Sequence, residues 1–428
     1  MTTTIPHVTT ATKLQGLLEA MLQAPLPVRL RAWDGSTTGP ADAPLLMIRN
    51  RRALRRLMWQ PNELGLARAY VAGEIDVEGD LYDALTRLAA LIWRSPDLKD
   101  VPIRSVAADL VRLGVLGTQP KPPPEEMVVT GTRHSQRRDR QAISHHYDVG
   151  NDFYRLVLGP SMVYSCAYWT SDAGDLEQAQ HDKLDLICRK LGLRPGQRLL
   201  DVGCGWGSLA IHAAREYGVQ VVGITLSTEQ ADYARKQVAE AGLAGQVEIR
   251  VEDYRDLDDG PYDAIASVGM AEHVGAEPYA EYAAILYAQL KPGGRLLNHQ
   301  ISRLHLAPKQ PHQPRSFIDA YVFPDGELAP VGTTVTILEQ AGFEVRDVHA
   351  LREHYGRTLR AWVANLEAEW STAVRLTSPG RARVWRLYMA ASALAFEQAR
   401  IGVNQVLAVK GHRDGSSDMS PTRSDYAV

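Results

Sequence analysis

Asp201-Val202-Gly203-Cys204-Gly205-Trp206-Gly207 closes an apolar run that begins at Leu199, so a strand ending in a carboxylate enters a turn of alternating glycines. Without Cβ atoms the backbone can turn sharply there and approach a ligand closely, with its amides free to point at it. The chemistry this suits is the binding of a nucleotide-like cofactor. A helical stretch, 208–217, and a second apolar run, 219–224, follow and complete a βαβ unit. A dinucleotide site would need Asp or Glu near the end of that second strand, about 20 residues past the glycines, to hold a ribose hydroxyl. Thr225 and Leu226 stand there instead, which favours S-adenosylmethionine over NAD. An ordinary glycine turn is the plainer alternative for the loop taken by itself.

The elements that must position this loop follow from the pattern around it. From 141 to 410, short apolar runs alternate with helical segments, which predicts an α/β domain with a mostly parallel, helix-covered sheet. Strands are expected at 198–202, 219–225, 247–251, 264–268, 295–299 and 343–350. A long excursion, 303–327, carries prolines and the aromatic residues Phe317, Tyr321 and Phe323, and is expected to cover a site. Residues 1–117 read as a mostly helical domain, with Leu81, Leu85, Leu88 and Ile92 at helical spacing. The Pro-rich and charged stretch 118–140, ending in Arg137-Arg138-Asp139-Arg140, reads as a linker, and 411–428 as a disordered tail.

Composition bounds the partners. The chain of 428 residues carries 47 Lys and Arg against 50 Asp and Glu, and a net charge of -3 gives no bulk attraction to nucleic acid or membrane. No apolar run is long enough to span a bilayer and no signal peptide is evident, so a cytoplasmic protein is expected. Three cysteines without a Cys-x-x-Cys pair suggest neither a disulfide framework nor a metal site. Local charge says more: Arg49, Arg51, Arg52, Arg55 and Arg56 crowd one stretch with Leu54, Leu57, Met58 and Trp59. A solvated helix face explains this, and so does docking on an anionic lipid surface.

Five segments then converge: 146–154 (His146-Tyr147-Asp148 to Tyr154), 162–169 (Met162 to Trp169), the glycine loop, 223–230 (Gly223 to Gln230) and 269–275 (Gly269-Met270-Ala271-Glu272-His273-Val274-Gly275). Together they closely resemble the cyclopropane-fatty-acid and mycolic acid cyclopropane synthases, over about residues 141 to 410. That resemblance implies a Rossmann-like methyltransferase that uses S-adenosylmethionine to alkylate the cis double bonds of acyl chains carried by phospholipids. It implies that Tyr164, Ser165, Gly203 and Gly205 lie at the methionine end of the cofactor. Thr225, Leu226 and Gln230 would contact its ribose and adenosine, and Asp253 and Tyr254 would lie near its adenine. Ser227 and Gln230 also have capping-box spacing, so Gln230 has two competing duties.

The same resemblance implies a bound bicarbonate held by Cys166, Glu272, His299, Ile301 and Tyr355, with Tyr168 among the catalytic group. Chemistry supports the need for a base. Methyl transfer from a sulfonium to an alkene leaves a carbocation, and a proton must then leave a neighbouring carbon; a small exchangeable anion tolerates that position better than a carboxylate that could itself be alkylated. By itself, His299 at the end of an apolar strand would read as a core histidine. Tyr168, Trp169, Tyr321 and Phe323 could offer ring faces to the cation, or could simply pack. Loss of a proton from the new methyl closes a cyclopropane, whereas a prior hydride shift leads to a 10-methylene chain of the kind a flavin-dependent reductase converts to a 10-methyl acid. The motifs do not separate these products. A homodimer docked on the inner membrane face is the expected setting, while a small-molecule methyltransferase and a non-catalytic lipid-binding protein are the alternatives.

Overall fold

A computed structural model describes residues 8–92, 103–127, 131, 135, 138, 149–171, 174–303 and 315–427. The motif residues His146, Tyr147 and Asp148, together with Arg137, Asp139 and Arg140, lie outside the described residues. The chain forms two compact units, and the smaller gathers Met1–Val128 with two later segments, Gln313–Val322 and Ser378–Leu394.

In the smaller unit four short strands, β1 (Arg29–Arg31), β2 (Thr37–Thr38), β3 (Leu45–Ile48) and β4 (Ile75–Glu78), form a sheet in the order β2-β1-β3-β4. The sequence pattern did not reveal these strands beside the helices, since strands of two to four residues are too short to display a period of their own. Leu14, Leu17, Leu30, Ile48, Leu54, Leu110 and Val115 form the core beneath the helices. Part of the expected linker is packed here as well. Arg56 donates to Lys121 O at 2.7 Å, Arg68 makes a two-pronged pair with Glu126, and Met127 N donates to Ala320 O at 2.8 Å. Proline-rich backbone can be held by such side-chain donors without any secondary structure of its own.

In the larger unit seven strands run in the order β10-β11-β9-β8-β5-β6-β7, with β5 (Arg198–Val202), β6 (Gln220–Thr225), β7 (Val247–Val251), β8 (Tyr262–Val268), β9 (Leu290–Arg303), β10 (Glu344–Ala350) and β11 (Ile401–Val409). The first five are mutually parallel, and β11 runs antiparallel between β9 and β10. Alternate residues of these strands enter two cores, Leu199, Val221, Ala264 and Leu297 on one face and Leu200, Val222, Ile265 and Leu296 on the other. Burial on both faces explains the nearly unbroken apolar runs that marked the strands in the sequence. Strand order reverses between β5 and β8, so the loops after these two strands flank a switch point, where ligands of such sheets bind.

The tail expected to be disordered is instead packed. Arg346 donates to Ser417 Oγ and Ser420 O, Arg423 pairs with Asp347 at 2.8 Å, and Tyr426 is buried. Its polar composition concealed these side-chain anchors. No described helix is long and apolar enough to cross a membrane.

Candidate active site

The glycine loop leaves β5 with Gly203, Gly205 and Gly207 at φ of 76°, 56° and 85°, the left-handed region that favours glycine. The three positions have different neighbours. A Cβ on Gly203 would fall 2.3 Å from Met270 Sδ, and one on Gly207 would fall 3.0 Å from Ala234 Cβ, so both permit close packing. At Gly205 the nearest atom is Gln230 Nε2 at 3.8 Å, which leaves room. The amides of Gly203 and Cys204 both donate to Ile224 O, at 3.0 and 2.9 Å, so these two hold the loop to β6 and do not serve as open ligand donors.

β6 ends at Thr225, and Ser227 caps the next helix, Thr228–Glu240, by accepting from Gln230 N at 3.2 Å. Gln230 uses its side chain otherwise than a capping box would: its Oε1 accepts from Thr225 Oγ1 at 3.0 Å, and its amide nitrogen lies toward Gly205. Its two competing duties are thus separated, with the cap made by backbone and the side chain turned to the loop. Leu226 is half-buried between them. Asp253 is buried and gripped by Arg255 through both oxygens, at 2.8 and 2.7 Å, while Tyr254 packs edge-on against Tyr282.

Tyr164 lies between the rings of Tyr154 and Trp362, and Ser165 Oγ accepts from Lys183 Nζ at 2.9 Å. Lys183, on the helix Leu176–Leu191, is a site neighbour that the motifs did not reveal; a lone lysine in an amphipathic pattern carries no signal of burial. Burial lowers its pKa to about 8, and burial raises that of Asp201 to about 7, each partly offset by the other's opposite charge. Asp201 Oδ2 is buried without a hydrogen-bond partner among the described residues.

Of the five residues matched to an anion, Glu272, His299 and Ile301 gather at β9, and Cys166 and Tyr355 connect to the neighbouring β11 through Leu351. Glu272, on the short helix Ala271–Val274 after β8, accepts from Ile301 N at 2.7 Å. His299 shares the face of β9 that holds Ile301, two residues on, and is buried. Val403, opposite Ile301, accepts from Leu351 N through its carbonyl, and Leu351 O in turn accepts from Cys166 Sγ at 3.6 Å and from Tyr355 N at 3.2 Å. Tyr355 packs its ring against Phe396 and Trp362. Two polar atoms in this group, Glu272 Oε2 and His299 Nε2, are buried with no hydrogen-bond partner among the described residues. Burial pushes the Glu272 carboxyl up to about 7 against the lowering effect of the Ile301 amide. It lowers His299 to about 3, aided by repulsion from Lys183, Lys190 and His349. The Cys166 thiol is also pushed up by burial, which makes it a poor nucleophile.

Each aromatic residue considered for the cation already has a partner. Tyr168 stacks on His354 at 5.0 Å and meets His349 edge-on. Trp169 already carries the Arg357 guanidinium over its ring at 4.5 Å. Tyr321 is buried in the smaller unit with its hydroxyl donating to Glu126. Phe323 lies edge-on to His273, and Glu327 N donates to Glu272 O at 3.1 Å, so the end of the 303–327 excursion packs over the Glu272 helix; residues 304–314 lie outside the described residues.

Comparison with known proteins gives the family. Residues 134–406 match the family described as mycolic acid cyclopropane synthetase. A probable fatty acid methyltransferase of Mycobacterium tuberculosis is 44% identical over 403 residues, covering 90% of this chain and 91% of its own. The cyclopropane-fatty-acyl-phospholipid synthase of Escherichia coli K12 is 35% identical over 382 residues, covering 88% and 90%. The crystal structure of mycolic acid cyclopropane synthase CmaA1 complexed with SAH and CTAB superposes with a TM-score of 0.59 at 36% identity, covering 63% of this chain and 97% of that one.

Proposed function

We propose a function from one premise: the chain belongs to the mycolic acid cyclopropane synthetase family, and is an S-adenosylmethionine-dependent methyltransferase of fatty acids. The substrate we propose is a cis-unsaturated acyl chain carried on a phospholipid, and the product a cyclopropane or a 10-methylene chain. The observation that carries this reading is the pair of buried atoms with no hydrogen-bond partner among the described residues, Glu272 Oε2 on the helix after β8 and His299 Nε2 on β9. Buried polar atoms are nearly always paired, so two orphans near each other in sequence register call for a small polar ligand.

The residues fit both absent groups. Toward S-adenosylmethionine, the open backbone at Gly205 with the amide of Gln230 nearby and the Thr225 hydroxyl forms a cradle that a Cβ would narrow. When bound, this cofactor supplies an electrophilic methyl on a sulfonium. Toward bicarbonate, Glu272 and His299 provide unsatisfied polar atoms of the type that hold a small oxyanion carrying one proton. Glu272 is anchored by Ile301 N, so its second oxygen is held in a fixed direction to accept a proton in a hydrogen bond. Tyr355 is held by ring contacts with Phe396 and Trp362.

Reaching an acyl chain requires docking at a bilayer, and the smaller unit offers a surface for it. Its helix Arg51–Trp59 ends in an exposed Trp59, which donates to Gly117 O, next to an exposed Leu116. Arg51 and Arg52 are exposed on the same helix, Arg52 reaching Glu74 at 3.3 Å, whereas Arg55 donates to Val115 O and Leu116 O, and Arg56 is buried on Glu74. The docking surface is therefore narrower than the arginine run: Arg51 and Arg52 with Trp59 and Leu116, an arrangement suited to anionic headgroups and the interface below them.

Mass spectrometry of total fatty acids from a host rich in cis-unsaturated phospholipids tests the function. Expression of this chain is expected to yield acyl chains one methylene unit heavier, with a cyclopropane or a methylene branch at the former double bond. Unaltered acyl chains, with a labelled methyl recovered in a water-soluble product, would contradict it.

A further inference from the structure

Gln405 takes no part in the motifs, yet it is fully buried and stands directly opposite His299 in the β9–β11 ladder. Its Nε2 lies 3.3 Å from His299 Nδ1, the described hydrogen-bond contact of that ring. Burying a glutamine in a mostly apolar strand costs desolvation that a purely apolar residue would avoid. The contact has a chemical consequence. In this amide orientation, which leaves Gln405 Oε1 buried with no partner among the described residues, the N–H donates, Nδ1 presents its lone pair, and the single ring proton of neutral His299 resides on Nε2.

We propose that Gln405 is a positioning residue that fixes His299 as an Nε2–H donor toward the anion of this site. The proposal rests on the bicarbonate reading given above. It gives the site one fixed donor, His299 Nε2–H, and one fixed acceptor, Glu272 Oε2, whose other oxygen is tied to Ile301 N. Such a pair matches an oxyacid anion that accepts through one oxygen and donates through its remaining O–H, as bicarbonate does and as a fully deprotonated or non-protic anion does not. A rotated Gln405 amide would reverse the logic, with Oε1 accepting from Nδ1–H and leaving two acceptors in the site. Burial keeps the ring neutral, so a tautomer and not a charge is what Gln405 selects.

Nitrogen NMR of the full-length protein with ¹⁵N-labelled histidine, with His299 assigned from a His299→Asn variant, reads the tautomer directly. The expected spectrum shows a pyridine-like Nδ1 and a protonated Nε2 that does not titrate across neutral pH. A wild-type proton on Nδ1 would overturn the proposal, and this measurement holds even if no variant folds. Gln405→Glu supplies an acceptor in place of the donor and is expected to shift the proton to Nδ1. Gln405→Met is expected to lower kcat by about tenfold or more with KM for S-adenosylmethionine within about twofold, as for other residues that orient an active-site histidine. Loss of kcat in Gln405→Met with the Nε2–H tautomer retained would mark the residue as mere packing and also overturn the proposal. Assays in carbon-dioxide-stripped buffer, with and without added bicarbonate, test the parent reading separately. Wild-type turnover indifferent to bicarbonate would sink the anion reading, while the position of the His299 proton would still decide what Gln405 does.

Discussion

Glu272 combines two properties that pull in opposite directions, since the buried carboxylate that the chemistry requires is one the fold would rather keep protonated. Its folded-state pKa lies above the ordinary carboxylate range, so it contributes stability at low pH that is lost as pH rises through about 7. Glu272→Gln is therefore expected to lower turnover by about a hundredfold or more and yet raise Tm by a few degrees at pH 8, with little change at pH 5. Paired activity and thermal-melt measurements check this, and a variant less stable than wild type at pH 8 would contradict it. Activity should rise with pH as Glu272 ionises, with the midpoint below about 7 once a sulfonium is bound nearby. At the cofactor cradle, Gln230→Ala removes the partner of Thr225 Oγ1 and is expected to weaken S-adenosylmethionine binding about tenfold by calorimetry, with the fold retained. Gly203→Val is a poorer probe of the same cradle, because its side chain would strike Met270 before any ligand. Residue types with fixed motif spacing, such as Gly203, Thr225 and Glu272, were legible in the sequence. Lys183 and Gln405 were not, because what marks them is burial and a cross-strand partner, neither of which a linear pattern displays.

At the scale of elements, the helix Arg51–Trp59 shows how one charge run divides into unlike duties. Arg56 and Glu74 form a buried two-pronged ion pair, so Arg56→Gln should cost about 3 kcal/mol or more in chemical denaturation, the buried Glu74 being left with only the exposed Arg52 at 3.3 Å. Arg51→Gln with Arg52→Gln should leave stability within about 0.5 kcal/mol but reduce sedimentation with anionic vesicles at low salt. Equal sedimentation of the double variant and wild type would remove this face from the docking surface. The β5 to β10 strands were readable from apolar runs, with β5 and β7 matching their expected bounds. β11 was missed, although it carries Gln405 and separates β9 from β10. Its run is interrupted by Asn404 and Gln405, which are buried because Ser302 and His299 meet them across the ladder.

The whole molecule departs most from its linear reading where distant segments close on one another. The smaller unit recruits 313–322 and 378–394 through contacts such as Met127 N to Ala320 O and Arg383 to Asp76, so its boundary could not be found at a single composition change. The C-terminal tail likewise anchors through Arg423 on Asp347, which also lies 3.3 Å from the buried Lys190. Truncation after Lys410 is expected to lower Tm by several degrees, because Asp347 would lose Arg423 and the Arg346 guanidinium its Ser417 and Ser420 partners; an unaltered melt would show that these contacts add nothing. The mostly parallel sheet was, by contrast, legible from the alternation of runs and helices, whereas its strand order and switch point emerge only from the strand pairing. The most direct measurement of the central claim uses purified full-length protein, vesicles of dioleoyl phosphatidylglycerol and S-adenosylmethionine labelled in its methyl group, with the released fatty acids examined by mass spectrometry. Label incorporated into the acyl chain as one added methylene unit, dependent on Glu272 and Gln230, is the predicted result. Cofactor turnover with no label in the acyl chains would contradict the account.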